Sequence, residues 1–346
     1  MTQVNATVRR NESPRPDSSG GREQRPRTKR PRSLVHLVDL ALDNIVWILL
    51  VAFALLANLM NPFFLSVANL QNILVQATTL GFVAVAIALT LLLGEIDLSV
   101  VGILGFTGAV GALAVNNGIP GPAAIGLVVL LGAVIGLING LCVAKLRMNS
   151  LIETLAMGLA LSGAVLALTK GQTLTISSES YVFVGQGSLF GWPVMPLALV
   201  LLFVVIAVVL NRTAWGRKLY ATGGNKRAAF AAGINTDRLR VEAFVVSGLL
   251  SGIAGWLATA YLSGVNSTVG SNLLLYAVAA PVIGGVSLFG GRGRVLGMLG
   301  GILLLTVVQV GLQLVNISAY YVSMVGGAMI FLAVFVDALR VRRRES

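Results

Sequence analysis

The sequence predicts an all-α membrane protein with about ten transmembrane helices. Its 346 residues are 56% hydrophobic and only 11% charged, whereas soluble domains carry about 25% charged residues. Several apolar stretches reach the ~20 residues that a helix needs to cross a bilayer. The 40 glycines, many of them inside these stretches, are typical of closely packed membrane helices. This composition excludes a water-soluble globular protein.

A polar tail precedes the apolar stretches. Residues 1–38, rich in Arg, Pro and Ser, are predicted to be a disordered basic cytoplasmic tail. Residues 39–339 form the predicted transmembrane domain, and residues 340–346 a basic cytoplasmic C-terminus. Within this domain the predicted spans are 41–60, 71–93, 99–116, 122–144, 151–169, 193–211, 241–261, 272–289, 295–315 and 318–338.

The basic residues test this layout, because the cytoplasmic loops of membrane proteins are enriched in Lys and Arg. With ten spans, 24 of the 25 Lys and Arg residues fall on one face and only Lys170 on the other. Both termini are therefore predicted to be cytoplasmic. The net charge of +12 reflects this orientation and attraction to membrane lipids, and it does not indicate nucleic-acid binding.

The order of the spans is compatible with an internal repeat. Spans two to five begin outside and spans seven to ten begin inside, as in the inverted repeats of many transporters. This prediction rests on topology alone, because the two halves share no convincing sequence identity.

Glycines recur at helix-packing spacing in two spans. They are Gly132, Gly136 and Gly140 in the fourth span and Gly248 and Gly252 in the seventh. Such faces let two backbones approach closely. The contact lies either inside one subunit or at an interface between subunits.

Residue counts exclude several kinds of chemistry. Cys142 is the only cysteine, so no disulfide forms within the chain. His36, the only histidine, precedes the first span, and no metal site is predicted. None of the five lysines completes a GxxxxGK[ST] phosphate-binding loop. If ATP drives this protein, another polypeptide hydrolyses it, and we expect no catalytic residue on this chain.

Acidic residues near the membrane are functional candidates because they are costly to bury there. Ser150 and Glu153 have the spacing of a capping box at the start of the fifth span. Glu95, Asp97 and Ser99 lie between the second and third spans. Asp97 or Ser99 either caps the third span or, with Glu95, belongs to a gate or to the transport path. So few buried charges disfavour an ion-coupled carrier.

Polar side chains within the spans are further candidates for a transport path. Gln76 lies in the second span, and Gln309 and Gln313 lie in the ninth. They line the path or form hydrogen bonds between helices, and both alternatives remain open.

The longest cytoplasmic loop contains a short predicted helix. Asn225 is a good N-cap and Gly233 a good residue to follow the C-cap, and the seven residues between them have mostly high helix propensity. We expect a helix of about 10 Å, held by glycine turns at Gly223 and Gly224. Because so short a helix is marginal alone, it needs a packing partner, either its own subunit or another protein.

Six ordered segments resemble ribose/xylose-type permease subunits of bacterial ABC importers. The resemblance runs from about Asn69 to Asp337, and Val101 departs from it, since the family has glycine there and this chain has Gly102. The matching segments are 69–74 (NLQNIL), 94–100 (GEIDLSV), 150–156 (SLIETLA), 216–234 (which contains GGN, AA and GI), 283–297 (IGGVSLFGGRGRVLG) and 333–337 (AVFVD).

This resemblance implies a multi-pass permease of the bacterial inner membrane that imports a monosaccharide by alternating access. Its partners would be an ABC ATPase subunit that uses ATP and Mg, an extracytoplasmic sugar-binding protein and a second permease copy. No cofactor is expected on this chain. The loop of this chain with the Gly-Gly-Asn, Ala-Ala and Gly-Ile pattern, at 223–234, resembles the coupling helix that docks on the ATPase in such permeases. The resemblance implies this role for Gly223, Gly224, Asn225, Ala228, Ala229, Gly233 and Ile234.

Other functions remain open at this point. The same type of importer serves other cargoes, such as a signalling sugar derivative, a nucleoside or a branched-chain amino acid. An ion-coupled carrier or a channel would not need a docking helix. A structural membrane scaffold would explain neither the loop nor the ordered motifs.

Overall fold

The computed structural model describes residues 44–270 and 273–318, together with 321, 324–328, 331 and 335. These residues are mostly helical, with four two-residue strands and a 3₁₀ helix at Pro62–Leu65. The helices are α1 (Ile45–Met60), α2 (Val67–Leu92), α3 (Val100–Asn116), α4 (Gly121–Ala144), α5 (Ser150–Thr169), α6 (Glu179–Gln186), α7 (Met195–Arg212), α8 (Ala214–Gly224), α9 (Lys226–Ala231), α10 (Thr236–Leu262), α11 (Leu273–Ile283) and α12 (Val295–Leu314).

The apolar helices follow the predicted spans over the described part of the chain. Six of them, α2, α4, α5, α7, α10 and α12, are long and apolar enough to cross a membrane, and α1, α3 and α11 are apolar but shorter. The tail at 1–38, most of the span at 318–338 and the C-terminus at 340–346 lie outside the described residues. The all-helical membrane class is confirmed, whereas the ten-span topology and the side of each terminus stay predictions.

The predicted span at 272–289 is too long. α11 ends at Ile283, so it covers only about half of a ~30 Å hydrocarbon core at ~1.5 Å per residue. Gly285 follows with a φ of 90°, a conformation that glycine adopts readily and that ends the helix. The apolar residues after it form a loop at 284–294 instead of further helical turns.

α2 is the central helix of the bundle. In its most apolar window 83% of the residues are buried, and it packs against α7, α10, α11 and α12. Its second half is a run of Ala, Val, Ile, Leu and Thr residues, which suits a helix surrounded by protein on all sides. The main hydrophobic core therefore forms around α2.

The glycines of α4 and α10 pack against each other inside one subunit. A Cβ atom on Gly132 would collide with the carbonyl oxygen of Gly248, and one on Gly136 with that of Phe244. Gly252 lies against the backbone of the same α4 segment. The two backbones are thus in direct contact, which decides the alternative left open by the sequence in favour of packing within the chain.

A non-spanning segment at 170–194 covers one end of α3, α4 and α10. It contains β1 (Leu174–Thr175), which pairs with β4 (Gly264–Val265), then α6, and then a hairpin of β2 (Ser188–Leu189) and β3 (Trp192–Pro193). Tyr181 of α6 is fully buried. Its carbonyl oxygen accepts a hydrogen bond from Trp256 Nε1 at 3.0 Å, which fixes α6 on α10.

Candidate functional site

The short helix predicted in the cytoplasmic loop is present as α9. Asn225 Oδ1 accepts a hydrogen bond from the backbone N–H of Ala228 at 3.0 Å, so the predicted N-cap is confirmed. Gly233 has a φ of 82°. The N–H groups of Gly233 and Ile234 donate to the carbonyls of Phe230 and Ala229 at 2.9 and 3.1 Å. This is a Schellman motif, and it makes α9 six residues long instead of seven.

The predicted glycine turns at Gly223 and Gly224 are wrong, because both residues belong to the last turn of α8. Gly223 serves close packing instead of a turn. A Cβ atom on it would collide with the carbonyl oxygen of Leu92 and would lie 2.5 Å from the backbone nitrogen of Gly291. A Cβ atom on Gly224 would meet nothing within 4 Å. Only Gly223 is therefore required by the contact.

Gly223 belongs to a junction of three backbone segments, which we call the glycine junction and define as Gly94, Gly223, Gly224, Gly290 and Gly291. Gly94, Gly290 and Gly291 have φ values of 75°, 87° and 72°, which L residues with side chains rarely adopt. The junction joins the end of α2, the end of α8 and the loop at 284–294. Tyr220 reinforces it, since its hydroxyl donates to the carbonyl of Gly293 at 3.1 Å.

α8 is also attached to α10. Trp215 Nε1 donates to Glu242 Oε2 at 3.1 Å, and Arg238 Nε donates to the other oxygen of Glu242 at 2.8 Å. On α9 itself Ala229 is buried, whereas Phe230 is 71% exposed. The pair of helices α8 and α9 therefore rests on α2, α10 and the loop at 284–294, and α9 carries an exposed aromatic side chain.

The acidic loop between α2 and α3 is buried. Asp97 has no exposed surface. It accepts hydrogen bonds from the Ser99 backbone N–H at 3.0 Å, from the Ser99 hydroxyl at 2.6 Å and from the Ser247 hydroxyl of α10 at 2.7 Å. Asn139 Nδ2 of α4 donates to Ser99 Oγ at 2.8 Å. The predicted capping by Ser99 is wrong, since its side chain makes no cap hydrogen bond.

The buried surroundings of Asp97 and its hydrogen bonds act on its pKa in opposite directions. Burial raises the pKa of the Asp97 carboxyl, and the hydrogen bonds from Ser99 and Ser247 oppose that rise. The network joins the loop to α3, α4 and α10. Sequence reasoning missed Asn139 and Ser247, because a single polar residue inside an apolar span carries no signal of its partner.

Glu95 forms an ion pair with Arg240 at the start of α10. The two side chains are only 11% and 17% exposed. A few residues further on, the Leu98 N–H donates to Thr154 Oγ1 at 3.0 Å and the Ile96 N–H to Ser150 Oγ at 3.3 Å. The loop is therefore held between the first turns of α5 and α10.

The predicted capping box of α5 is wrong. Asn149, one residue earlier, is the N-cap, and its side chain accepts from the N–H groups of Leu151 and Ile152 at 3.0 and 3.3 Å. Ser150 instead faces the acidic loop. Glu153 is buried, and its Oε2 has no hydrogen-bond partner. Because the Glu153 side chain is turned into the protein, it does not reach back to the backbone N–H of the N-cap residue, as a capping box requires.

A cavity of about 790 Å³ separates α9 from the acidic loop. Its lining includes Glu95, Arg147, Lys226, Phe230 and Arg240, so it combines charged and apolar side chains and is net basic. Burial and then the nearby charge of Arg240 lower the pKa of Lys226. Because this space lies between the two, α9 is not packed tightly on the loop that carries Glu95 and Asp97, and Phe230 borders the space.

The structure separates the other candidates for a path from the acidic loop. Gln76 lies in the first half of α2, where its Nε2 donates to Asn72 Oδ1 at 3.2 Å. Gln309 of α12 is half-buried and Gln313 is exposed. Ile73 packs with Val307 and Val310, so Gln76 and Gln309 lie at a similar level of the bundle. Among the described residues there is no group of three or more metal-ligating side chains.

Comparisons with known proteins identify the family of the chain. A family model described as "Branched-chain amino acid transport system / permease component" matches residues 69–334. The ribose import permease protein RbsC of Bacillus subtilis is 38% identical over 82% of this chain and 88% of its own length. RbsC of Escherichia coli K12 is 37% identical over 84% and 91%.

A relative named for a different sugar is nearly as similar. The L-arabinose ABC transporter permease protein AraH of Azospirillum brasilense is 35% identical over 88% of this chain and 89% of its own. No solved structure matches the chain. The family model covers nearly all of α2 and the whole of α3 to α12, with the acidic loop and the segment of α8 and α9. The chain therefore belongs to the branched-chain amino acid transport system / permease component family.

Proposed function

We propose that this chain is the membrane permease subunit of an ATP-driven importer that moves a monosaccharide inward across the bacterial inner membrane. The relatives named for ribose and arabinose, at 35% to 38% identity over 82% to 88% of the chain, favour a sugar over the amino acids in the family description. The permease itself is not an enzyme. A separate ATPase subunit uses ATP and Mg, and an extracytoplasmic binding protein delivers the sugar.

The arrangement of α9 is the observation that carries this proposal. The helix is capped at both ends, follows directly on α8 and the glycine junction, and exposes Phe230. A rigid short helix with an exposed aromatic residue is suited to docking on another protein. We assign residues 223–234 as the coupling helix segment, with Phe230 as its main apolar contact.

Force applied to α9 has two routes into the bundle. One runs through Gly223 to the end of α2 and the loop at 284–294, where the backbones touch. The other runs through α10, where Arg240 pairs with Glu95 and the Ser247 hydroxyl donates to Asp97. Movement of α9 into the cavity that separates it from the acidic loop would therefore bias the bundle between two states, as alternating access requires.

We further propose ten spans with both termini in the cytoplasm, a second permease copy, and a path near the axis of the inverted repeat that Gln76, Gln309 and Gln313 line. The basic residues support the topology. Single cysteines in a Cys142→Ala background test it. Gln172→Cys and Arg227→Cys, both at exposed residues, should react with an impermeant reagent from opposite faces. Reaction of both from the outer face would exclude the topology.

Reconstitution tests the function. The permease, its ATPase and its binding protein are placed in liposomes, and uptake of labelled ribose, xylose, arabinose, leucine and a nucleoside is compared. We expect ATP-dependent uptake of a sugar and stimulation of the ATPase by the loaded binding protein. If only leucine or the nucleoside were taken up, the proposed sugar cargo would be wrong. Uptake without the ATPase would contradict the proposal of an ATP-driven importer.

A further inference from the structure

The hairpin before α7 presents apolar side chains to its surroundings. Phe190 is 103% exposed and Trp192 is 52% exposed. Leu189, beside them, is 46% exposed. We call these residues with Gly191 the aromatic hairpin (189–192). Its exposed surface is apolar at each of the three positions that carry a side chain, which in water would be unfavourable.

Its backbone makes the presence of Phe190 more unusual. Phe190 and Gly191 have φ values of 52° and 80°, as in a type I′ turn, where Asn, Asp or Gly is preferred at the first position. A bulky residue at positive φ is strained. In water an asparagine would suit this turn better, because it is polar and because it adopts a positive φ more readily. The choice of phenylalanine therefore indicates that the environment of its side chain is apolar.

The position of the hairpin identifies this environment. It ends two residues before α7, a candidate membrane span, at the end opposite to the one that leads into α8. α7 exposes an apolar face from its first turn to its last, formed by Leu197, Val200, Leu201, Val204, Val205 and Val208. A helix face of this composition is covered by lipid.

The same rim continues onto the neighbouring helix. Gln71 Nε2 of α2 donates to the carbonyl oxygen of Gly191 at 3.0 Å, which ties the hairpin to the start of α2. There Phe63, Leu65 and Val67 are also exposed, at 52%, 42% and 61%. No charged residue occurs from 180 to 211. An uncharged aromatic rim fits the boundary between lipid head groups and acyl chains, where Trp and other aromatic side chains concentrate.

We propose that the aromatic hairpin inserts into the bilayer at the boundary between head groups and acyl chains, which is the outer leaflet in the topology proposed above, and so anchors the segment that carries α6. The partner is a phospholipid surface. A docking surface for a soluble protein would leave Phe190 and Trp192 in water when that protein is absent, and this is the alternative that the experiment excludes.

The fluorescence of Trp192 measures how deeply the aromatic hairpin lies in the bilayer. The other tryptophans are replaced (Trp47→Phe, Trp215→Phe, Trp256→Phe) and the full chain is reconstituted in phosphatidylglycerol and phosphatidylethanolamine vesicles. Bromine placed near the carbonyl end of the acyl chain should quench the emission of Trp192 more than bromine near the terminal methyl, and aqueous iodide should quench it weakly. Strong quenching by iodide with no effect of bromolipid would overturn the anchor.

Spin labels give a second, independent measurement if the tryptophan variant is unstable. In the Cys142→Ala background a nitroxide is attached at Phe190→Cys or at Ser177→Cys, an exposed polar position of the same segment. At residue 190 collisions with oxygen should exceed collisions with a water-soluble nickel chelate, and at residue 177 the order should be reversed. Equal access of the nickel chelate to both labels would also overturn the anchor.

Discussion

The backbone N–H of Gly291 donates to the carbonyl oxygen of Leu92 at 2.9 Å, so the loop after α11 closes the end of α2. Gly223 occupies the remaining space beside this bond, at 2.5 Å between its virtual Cβ and the Gly291 nitrogen. The proposed coupling segment thus touches the end of α2 and the loop after α11 through one residue without a side chain. A change at that residue separates contact effects from helix propensity.

Gly223→Ala should abolish most ATP-coupled uptake and lower the melting temperature in detergent, because its Cβ atom has no room beside Leu92. The matched control is Gly224→Ala, where the Cβ atom meets nothing within 4 Å. Since alanine stabilises a helix by up to ~1 kcal/mol over glycine, this control should be neutral or slightly stabilising. Equal uptake by the two variants would contradict the role of the junction.

Gly233→Val should impair coupling without preventing membrane insertion. Gly233 has a φ of 82°, which a β-branched residue tolerates poorly, so the Schellman motif should open and α9 should fray. We expect reduced retention of the ATPase on purification and reduced uptake. Gly233→Asn is the control, because asparagine accepts the left-handed conformation. Normal uptake and ATPase retention in Gly233→Val would falsify the docking role of residues 223–234.

Asp97→Asn should be milder than Asp97→Ala. Alanine leaves the Ser247 hydroxyl and the Ser99 N–H without their acceptor, and a buried unsatisfied group costs about 1–3 kcal/mol. Asparagine keeps one acceptor oxygen at the loop. Thermal unfolding and uptake should both follow the order wild type, Asn, Ala. If Asn and Ala lose uptake equally while both remain folded, the negative charge is the property that matters.

Arg240→Gln should destabilise the protein much more than Arg238→Gln. Arg240 forms a nearly buried pair with Glu95, whereas the Arg238 side chain is 79% exposed. Loss of one partner of a buried pair costs about 3–5 kcal/mol, and loss of an exposed pair about 0–1 kcal/mol. The double variant Glu95→Gln with Arg240→Gln should recover part of the loss. Similar melting temperatures for the two arginine variants would argue against the pair.

The sequence predicts helices better than it predicts contacts. Hydropathy locates α1 to α5 within a few residues, because ~20 apolar residues in lipid have few alternatives to a helix. The caps of α9 follow from Asn225 and Gly233, whose preferences are local. The end of α11 was missed because Gly285 breaks a helix only where packing allows a positive φ, and hydropathy does not record this.

The candidate site was only partly predictable for the same reason. Glu95 and Asp97 are visible as rare acids, yet their partners Arg240 and Ser247 are about 150 residues away in the chain. Gly223 has a sequence signal as part of a Gly-Gly-Asn segment, but that signal is the same for a turn and for a close backbone contact. Only the position of Leu92 beside Gly223 distinguishes the two.

The glycine contact between α4 and α10 determines which parts of the bundle can slide. Where Gly132 and Gly136 meet Gly248 and Phe244, backbone faces backbone, and no rotamer change is available to absorb a relative shift. α4 and α10 therefore move together as one rigid body. The relative movements of helices in the transport cycle must occur where side chains or empty space separate the helices.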